Sequence, residues 1–245
     1  MLEKNIIQSI HDKHVQSFGI SAAMLRLDLL HPIVSGNKIF KLNHYLAAAK
    51  KGEKKGIITF GGPFSNHLVA AAYAAKLNNL ESVGYVRGEI PNKLSHGLMD
   101  CMAYGMQLEF MSRETFDSID FVQFSADNPN HAIIPHGGYG RLGMLGAKEI
   151  MEIPGVETFD TVLASCGTGT MAAGLIAGLQ SHQRLTLISV LKNNYSILDE
   201  IRQLLLEEEI KNKRFDMRFD LHLGGYAKKN ASLFQAMNDF FTNHQ

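Results

Sequence analysis

Lys38 and Lys41 stand three residues apart in SGNKIFKL (35–42), behind Gly36 and Asn37 and at the head of an apolar helical run. Lysine is rarely buried, so two solvated side chains are the plain reading. A lysine in a dry pocket instead has a lowered pKa and can act as a nucleophile or imine former. A second stretch, ASCGTGTMAAGL (164–175), runs from a strand pattern through Gly167, Thr168, Gly169 and Thr170 into a small-residue helix. Glycines there admit close backbone N–H approach to an anion, and the helix start and threonine hydroxyls add to it. A tight strand-to-helix turn is the competing reading. In a third stretch, TFGGPFSNH (59–67), Ser65, Asn66 and His67 follow a Gly-Gly turn. Ser or Asn would cap the next helix. Together the three also suit a substrate carboxylate or a cofactor oxygen.

The glycine loop matches neither common nucleotide pattern. A dinucleotide fingerprint needs G-x-G-x-x-G and a downstream acid, whereas Gly174 comes late and the next strand runs into LKNN. A P-loop needs Lys after its last glycine, and Leu175 follows Gly174. A monophosphate pocket fits better. A lysine, a phosphate cradle and a Ser/Asn helix start together ask for pyridoxal 5′-phosphate (PLP), which brings an aldehyde, a phosphate and a ring oxygen. An anion-binding α/β domain without PLP remains the alternative from residues alone.

Positioning these loops requires alternating strands and helices, and the sequence supplies them. AAMLRL (22–27), GIITF (56–60), ESVGYVRG (81–88), QLEFM, AIIPHGG, TVLASCG and LTLISVL read as strands. KLNHYLAAAKKG (41–52), SNHLVAAAYAAKLN (65–78) and SHGLMDCMAYG (95–105) read as helices. The alternation implies an α/β fold with mostly parallel sheets in a three-layer αβα arrangement. Ligands then sit beyond the carboxyl ends of the strands. For SGNK and SCGTG to meet, the chain is expected to form two lobes. Residues 1–41 and 140–245 would make a large cofactor-binding lobe and 42–139 a small inserted one.

The chain has 245 residues, 45% of them hydrophobic, with 24 basic and 24 acidic side chains. A net charge of zero argues against a nucleic-acid or membrane-surface partner. Cys101 and Cys166 cannot build a disulfide framework, so a reducing, cytoplasmic setting is expected. No apolar run approaches the ~20 residues of a membrane span. The 11 histidines form no H-E-x-x-H or Cys/His cluster, and no metal is expected. Met99, Met102 and Met106 are read as core, and LLLEEEIKNKR (204–214) as a solvated helix face.

RLDLLHPIVSGNKIFKL, TFGGPFSNH, IPHGGYGRLGMLGAKEI and SCGTGTMAAGL occur in that order. This combination resembles the 1-aminocyclopropane-1-carboxylate deaminase/D-cysteine desulfhydrase family of tryptophan-synthase-β-like (fold type II) PLP enzymes. The similarity runs from about Ala23 to about Lys228. It implies a PLP-dependent deaminase or lyase that converts a small amino acid to a 2-oxo acid and ammonia, with sulfide from D-cysteine. It implies that Lys38, rather than Lys41, binds the cofactor covalently. Ser65 would lie over the cofactor–lysine bond and the substrate, Asn66 would bond the ring oxygen, and Gly167–Thr170 would hold the phosphate. Tyr226 would lie near the substrate, and His67 joins Ser65 and Asn66 on the substrate side. A homodimer is expected. The family's C-terminal segment, with its Y-x-G-K motif, has no match after Tyr226. The alternative expectation is therefore a PLP-binding protein with little or no turnover.

Overall fold

A computed structural model of the chain describes residues 6–225 and 228–243. The elements run β1 (Ile7–Ile10), α1 (Lys13–Ser17), β2 (Ala22–Leu25), α2 (Lys38–Lys51), β3 (Gly56–Gly61), α3 (Asn66–Leu77), β4 (Glu81–Arg87), α4 (His96–Ala103) and β5 (Gln107–Met111). They continue with α5 (Arg113–Asp117), α6 (Phe121–Asp127), β6 (His131–Ile134), α7 (Arg141–Lys148), β7 (Thr161–Cys166), α8 (Thr170–Gly178), β8 (Arg184–Ser189), α9 (Ile197–Leu204), α10 (Glu207–Ile210), β9 (Arg214–Arg218) and α11 (Ala231–Asn243).

The strands form two parallel sheets and one antiparallel pair. The four-stranded sheet has the order β5-β4-β3-β6 and the three-stranded sheet β7-β8-β9, while β1 pairs antiparallel with β2. Every residue of β3 is buried, as befits a central parallel strand covered on both faces. From β3 the chain builds outward through β4 and β5, then returns to place β6 on the other side of β3. The strand order therefore reverses between β3 and β6, the kind of point where open α/β sheets bind ligands.

Two apolar clusters accompany the two larger sheets. One includes Leu42, Leu46, Ile57, Leu68, Leu98 and Ile134; the other includes Met144, Ile176, Leu185, Leu187 and Ile201. Helix α2 serves both: Leu42, Tyr45 and Leu46 enter the first, and Phe40 packs against the second. Each fully buried aliphatic side chain contributes about 1.5–3 kcal/mol relative to exposure.

Three helices approach closely because glycines allow it. A Cβ on Gly146 of α7 would lie 2.0 Å from the Phe40 carbonyl oxygen of α2. One on Gly174 of α8 would lie 2.6 Å from the Met144 carbonyl oxygen and 2.5 Å from Ala147 Cβ. With no side chain at these points, α2, α7 and α8 press backbone to backbone. The N-terminal ends of α2 and α8 are brought together by that packing.

Several sequence expectations need correction. Helix α2 begins at Lys38, a turn earlier than the 41–52 reading, so both lysines are helical. Met106 is buried, but Met99 and Met102 are 41% and 55% exposed, because they lie on the outer side of α4. The 204–214 stretch is not one helix. It breaks after Leu204, forms the short α10, turns at Asn212 with φ +62°, and enters β9 at Arg214. Glu209 in its middle pairs with Arg141 Nη2 at 2.7 Å, which pins this segment against α7. Among the described residues, no helix is long and apolar enough to cross a membrane.

Candidate active site

Three loops lie at carboxyl ends of parallel strands: 62–65 after β3, 135–140 after β6 and 167–169 after β7. They meet at the start of α2. Asn37, next to Lys38, donates through Nδ2 to Met171 Sδ in the first turn of α8 at 3.0 Å. A Cβ on Gly137 would touch Thr168 Oγ1 at 3.4 Å, so the loop after β6 abuts the loop after β7. The SGNK and SCGTG stretches thus stand side by side.

The two lysines differ in setting. Lys38 is half-buried and its Nζ donates to Asn37 Oδ1 at 2.9 Å; burial lowers its pKa. Lys41 is only 2% exposed, and its Nζ donates to the Gly137 carbonyl oxygen at 3.2 Å. Burial, aided by the Lys38 charge, lowers the Lys41 pKa to about 7. Among the described residues no carboxylate forms an ion pair with either lysine. A buried cation without a counter-charge is costly. The residues present around it therefore call for an anion.

The glycine loop is shaped to receive one. Gly169 adopts φ +69° and is braced from behind by Ile197, Glu200 and Ile201 of α9. In front of Gly167, as of Gly62, a Cβ would meet nothing within 4 Å. Helix α8 starts at Thr170, which is fully buried, and directs its N-terminal dipole into the same space. A phosphate fits this set of donors, and the residues suit a phosphate-bearing cofactor with an aldehyde for a lysine.

Ser65, Asn66 and His67 are separated by their burial. Ser65 caps α3, accepting from the Leu68 N–H at 3.4 Å, and Asn66 is exposed at the first helical position. His67 is 3% exposed and turns inward, with Nε2 at 2.8 Å from Thr59 Oγ1. Burial, with the nearby charges of Lys38, Lys41 and His136, holds its pKa well below the ordinary range. Tyr226 lies outside the described residues. Sequence reasoning weighed Lys41 only as a solvated lysine beside Lys38 and gave Gly137 and Gly138 no role in the site. A signal existed in HGG directly after a strand, since adjacent positive-φ glycines (φ +66° and +71°) permit a backbone that presents its carbonyl to a side chain.

A protein-family model described as "Pyridoxal-phosphate dependent enzyme" matches residues 13–215. The chain belongs to this family. Among curated relatives of this PLP enzyme, a putative 1-aminocyclopropane-1-carboxylate deaminase of Thermotoga maritima is 28% identical over 232 residues, covering 86% of the chain and 74% of the relative. A bifunctional D-cysteine desulfhydrase/1-aminocyclopropane-1-carboxylate deaminase of Arabidopsis thaliana is 29% identical over 189 residues, covering 68% of the chain and 46% of the relative. The match thus spans about half of the plant protein's length. A solved structure described as an ACC deaminase homologue superposes with a TM-score of 0.75 at 22% identity, over 97% of this chain and 77% of that one. That likeness establishes the fold, a mixed α/β architecture with parallel sheets.

Proposed function

We propose that this PLP enzyme deaminates a small amino acid of the D-cysteine or 1-aminocyclopropane-1-carboxylate type. The products would be a 2-oxo acid and ammonia, with sulfide when the substrate is D-cysteine. The observation that carries the reading is the pair of lysines without a carboxylate partner among the described residues, set against the Gly-Thr-Gly-Thr loop beside the strand-order reversal. The names of the Thermotoga and Arabidopsis relatives support the substrate class.

When bound, PLP supplies an electron sink for bonds at the substrate α-carbon. This chain's residues supply the rest. Lys38, at the mouth of α2 and with a lowered pKa, would hold the cofactor through its aldehyde and would move a proton at Nζ. Gly167–Thr170 and the N-terminus of α8 hold the phosphate, and Lys41 adds a buried positive charge to that end. Ser65 and Asn66, at the positive end of α3, orient the substrate carboxylate and the ring oxygen. Tyr226, outside the described residues, is assigned to the substrate side from the family resemblance alone.

Two structural readings accompany this one. Residues 42–139 act as an inserted lobe, supported by the separate four-stranded sheet and its own apolar cluster. The chain pairs as a homodimer, supported by the apolar side chains that α11 turns to solvent, including Phe234, Met237 and Phe241. Sedimentation checks the pairing. The substrate reading is tested by incubating the purified chain with PLP and D-cysteine, D-serine or 1-aminocyclopropane-1-carboxylate. Release of ammonia and a 2-oxo acid from at least one supports it; none from any contradicts it.

A further inference from the structure

Among the described residues, one buried side-chain polar atom has no hydrogen-bond partner, and it is Nδ1 of His67. Its neighbours define what that atom offers. Thr59 Oγ1 lies 2.8 Å from the Ile134 carbonyl oxygen and 2.8 Å from His67 Nε2. A carbonyl oxygen can only accept, so the one hydroxyl proton of Thr59 goes to Ile134. The hydroxyl oxygen must then accept from His67, which puts the imidazole proton on Nε2. Nδ1 is left as a bare lone pair in a buried place.

The chain of bonds is built into the sheet. Thr59 and Ile134 are register partners on β3 and β6, the two strands that flank the reversal of strand order. The imidazole also lies near cations. A Cβ on Gly138 would meet Lys41 Cβ at 3.4 Å, Lys41 Cδ at 3.5 Å and His67 Cε1 at 3.6 Å. The Lys41 stem and the imidazole edge therefore line the same space beside Gly138. Lys38, Lys41 and His136 are the charged or titratable groups that act on His67. A lysine ammonium has three donors, and the Gly137 carbonyl takes one from Lys41. The opposite tautomer would leave the Thr59 oxygen without its donor and put a proton on Nδ1, which has no acceptor among the described residues.

We propose that His67 is a positioning residue: the Ile134–Thr59–His67 chain locks its tautomer so that Nδ1 offers an acceptor to the Lys38–Lys41 pair and holds Lys41 as a charged donor for the cofactor phosphate. His67 then acts through Lys41 rather than by touching the substrate. This inference rests on the reading of Lys41 and the glycine loop as the phosphate site.

The test uses the full chain with ¹⁵N-labelled histidine. Long-range ¹H–¹⁵N spectra of the cofactor-free protein at neutral pH should show His67 protonated on Nε2 and bare on Nδ1. Thr59→Val should shift that pattern and weaken PLP binding about tenfold or more, the loss expected for a charged hydrogen bond. Thr59→Ser should restore both. His67→Gln keeps an amide donor for Thr59 but offers no acceptor at the Nδ1 position, so it should bind PLP as weakly as Thr59→Val. It also carries the test if Thr59→Val does not fold. A wild-type His67 protonated on Nδ1, or undiminished PLP binding in His67→Gln, overturns the inference alone. A wild-type chain with the predicted tautomer that binds no PLP overturns the phosphate-site reading and this inference with it.

Discussion

Lys41 Nζ donates to the Gly137 carbonyl oxygen at 3.2 Å, although the two residues lie on different elements, α2 and the turn after β6. That bond places a buried positive charge beside Thr168, whose side chain abuts Gly137. Lys41→Met should therefore lower PLP affinity by roughly 10- to 100-fold, from the 1.5–3 kcal/mol of a charged hydrogen bond. Covalent attachment at Lys38 should survive the substitution. Equilibrium titration of PLP absorbance, followed by peptide mapping, measures both.

The same lysine predicts a pH dependence. Its folded pKa of about 7 lies below the ordinary 10.5, so between these values the unfolded chain holds a proton that the folded chain does not. Stability associated with Lys41 is thus fully present above about 10.5 and is lost as pH falls toward and through 7. Lys41→Met removes the dependence. In denaturant titrations without cofactor, wild type should gain stability relative to Lys41→Met as pH rises from 7 to 10; a constant difference would contradict a buried lysine of lowered pKa. Inorganic phosphate binding should run the opposite way, weakening as Lys41 loses its proton.

Glycines at the helix contacts set the site from a distance. Gly146→Ala would press a methyl against the Phe40 carbonyl one residue from Lys41. Overpacking against backbone should cost about 3 kcal/mol, or roughly 6 °C or more in Tm. Gly169→Ala is different in kind. Its φ of +69° costs about 1–2 kcal/mol for a residue with a side chain, and Ile201 Cγ1 lies 3.3 Å from the new methyl. It should lower PLP affinity more than its modest loss of Tm would suggest. Thermal melts and PLP titration on both variants separate the two effects.

Tyr45 links α2 to the same turn. Its hydroxyl donates to the Tyr139 carbonyl oxygen at 2.5 Å, and burial pushes its pKa up to about 12. Tyr45→Phe leaves that carbonyl without this partner, at about 1–3 kcal/mol. The Gly137–Gly138 backbone would lose a restraint, so PLP affinity should fall along with Tm, as calorimetry and titration can show.

The candidate site was legible where its residues are local in sequence. GPFSN and SCGTGT each lie between a parallel strand and a helix, SGNK leads into the start of α2, and turn residues with periodicity reveal such junctions. Most strands of the two parallel sheets were legible for the same reason. What escaped depends on tertiary placement. Lys41 reads as an ordinary helix lysine, and only its burial by the glycine turn after β6 makes it part of the site. The inward turn of His67 toward Thr59 depends on β3 lying beside β6, a pairing across 75 residues. β9 was hidden within a charged stretch because Phe215 and Met217 are too few to show a strand pattern beside so many polar residues.

The central claim is that Lys38 is the residue that binds PLP covalently, with its phosphate end held by Gly167–Thr170 and Lys41. The most direct measurement is to mix the purified chain with PLP, reduce with borohydride and map the modified peptide by mass spectrometry. The account predicts one pyridoxyl group, on Lys38, absent from Lys38→Ala and retained in Lys41→Ala at saturating PLP. Modification of Lys41 or another lysine in the wild-type chain, or no modification at saturating PLP, would contradict it.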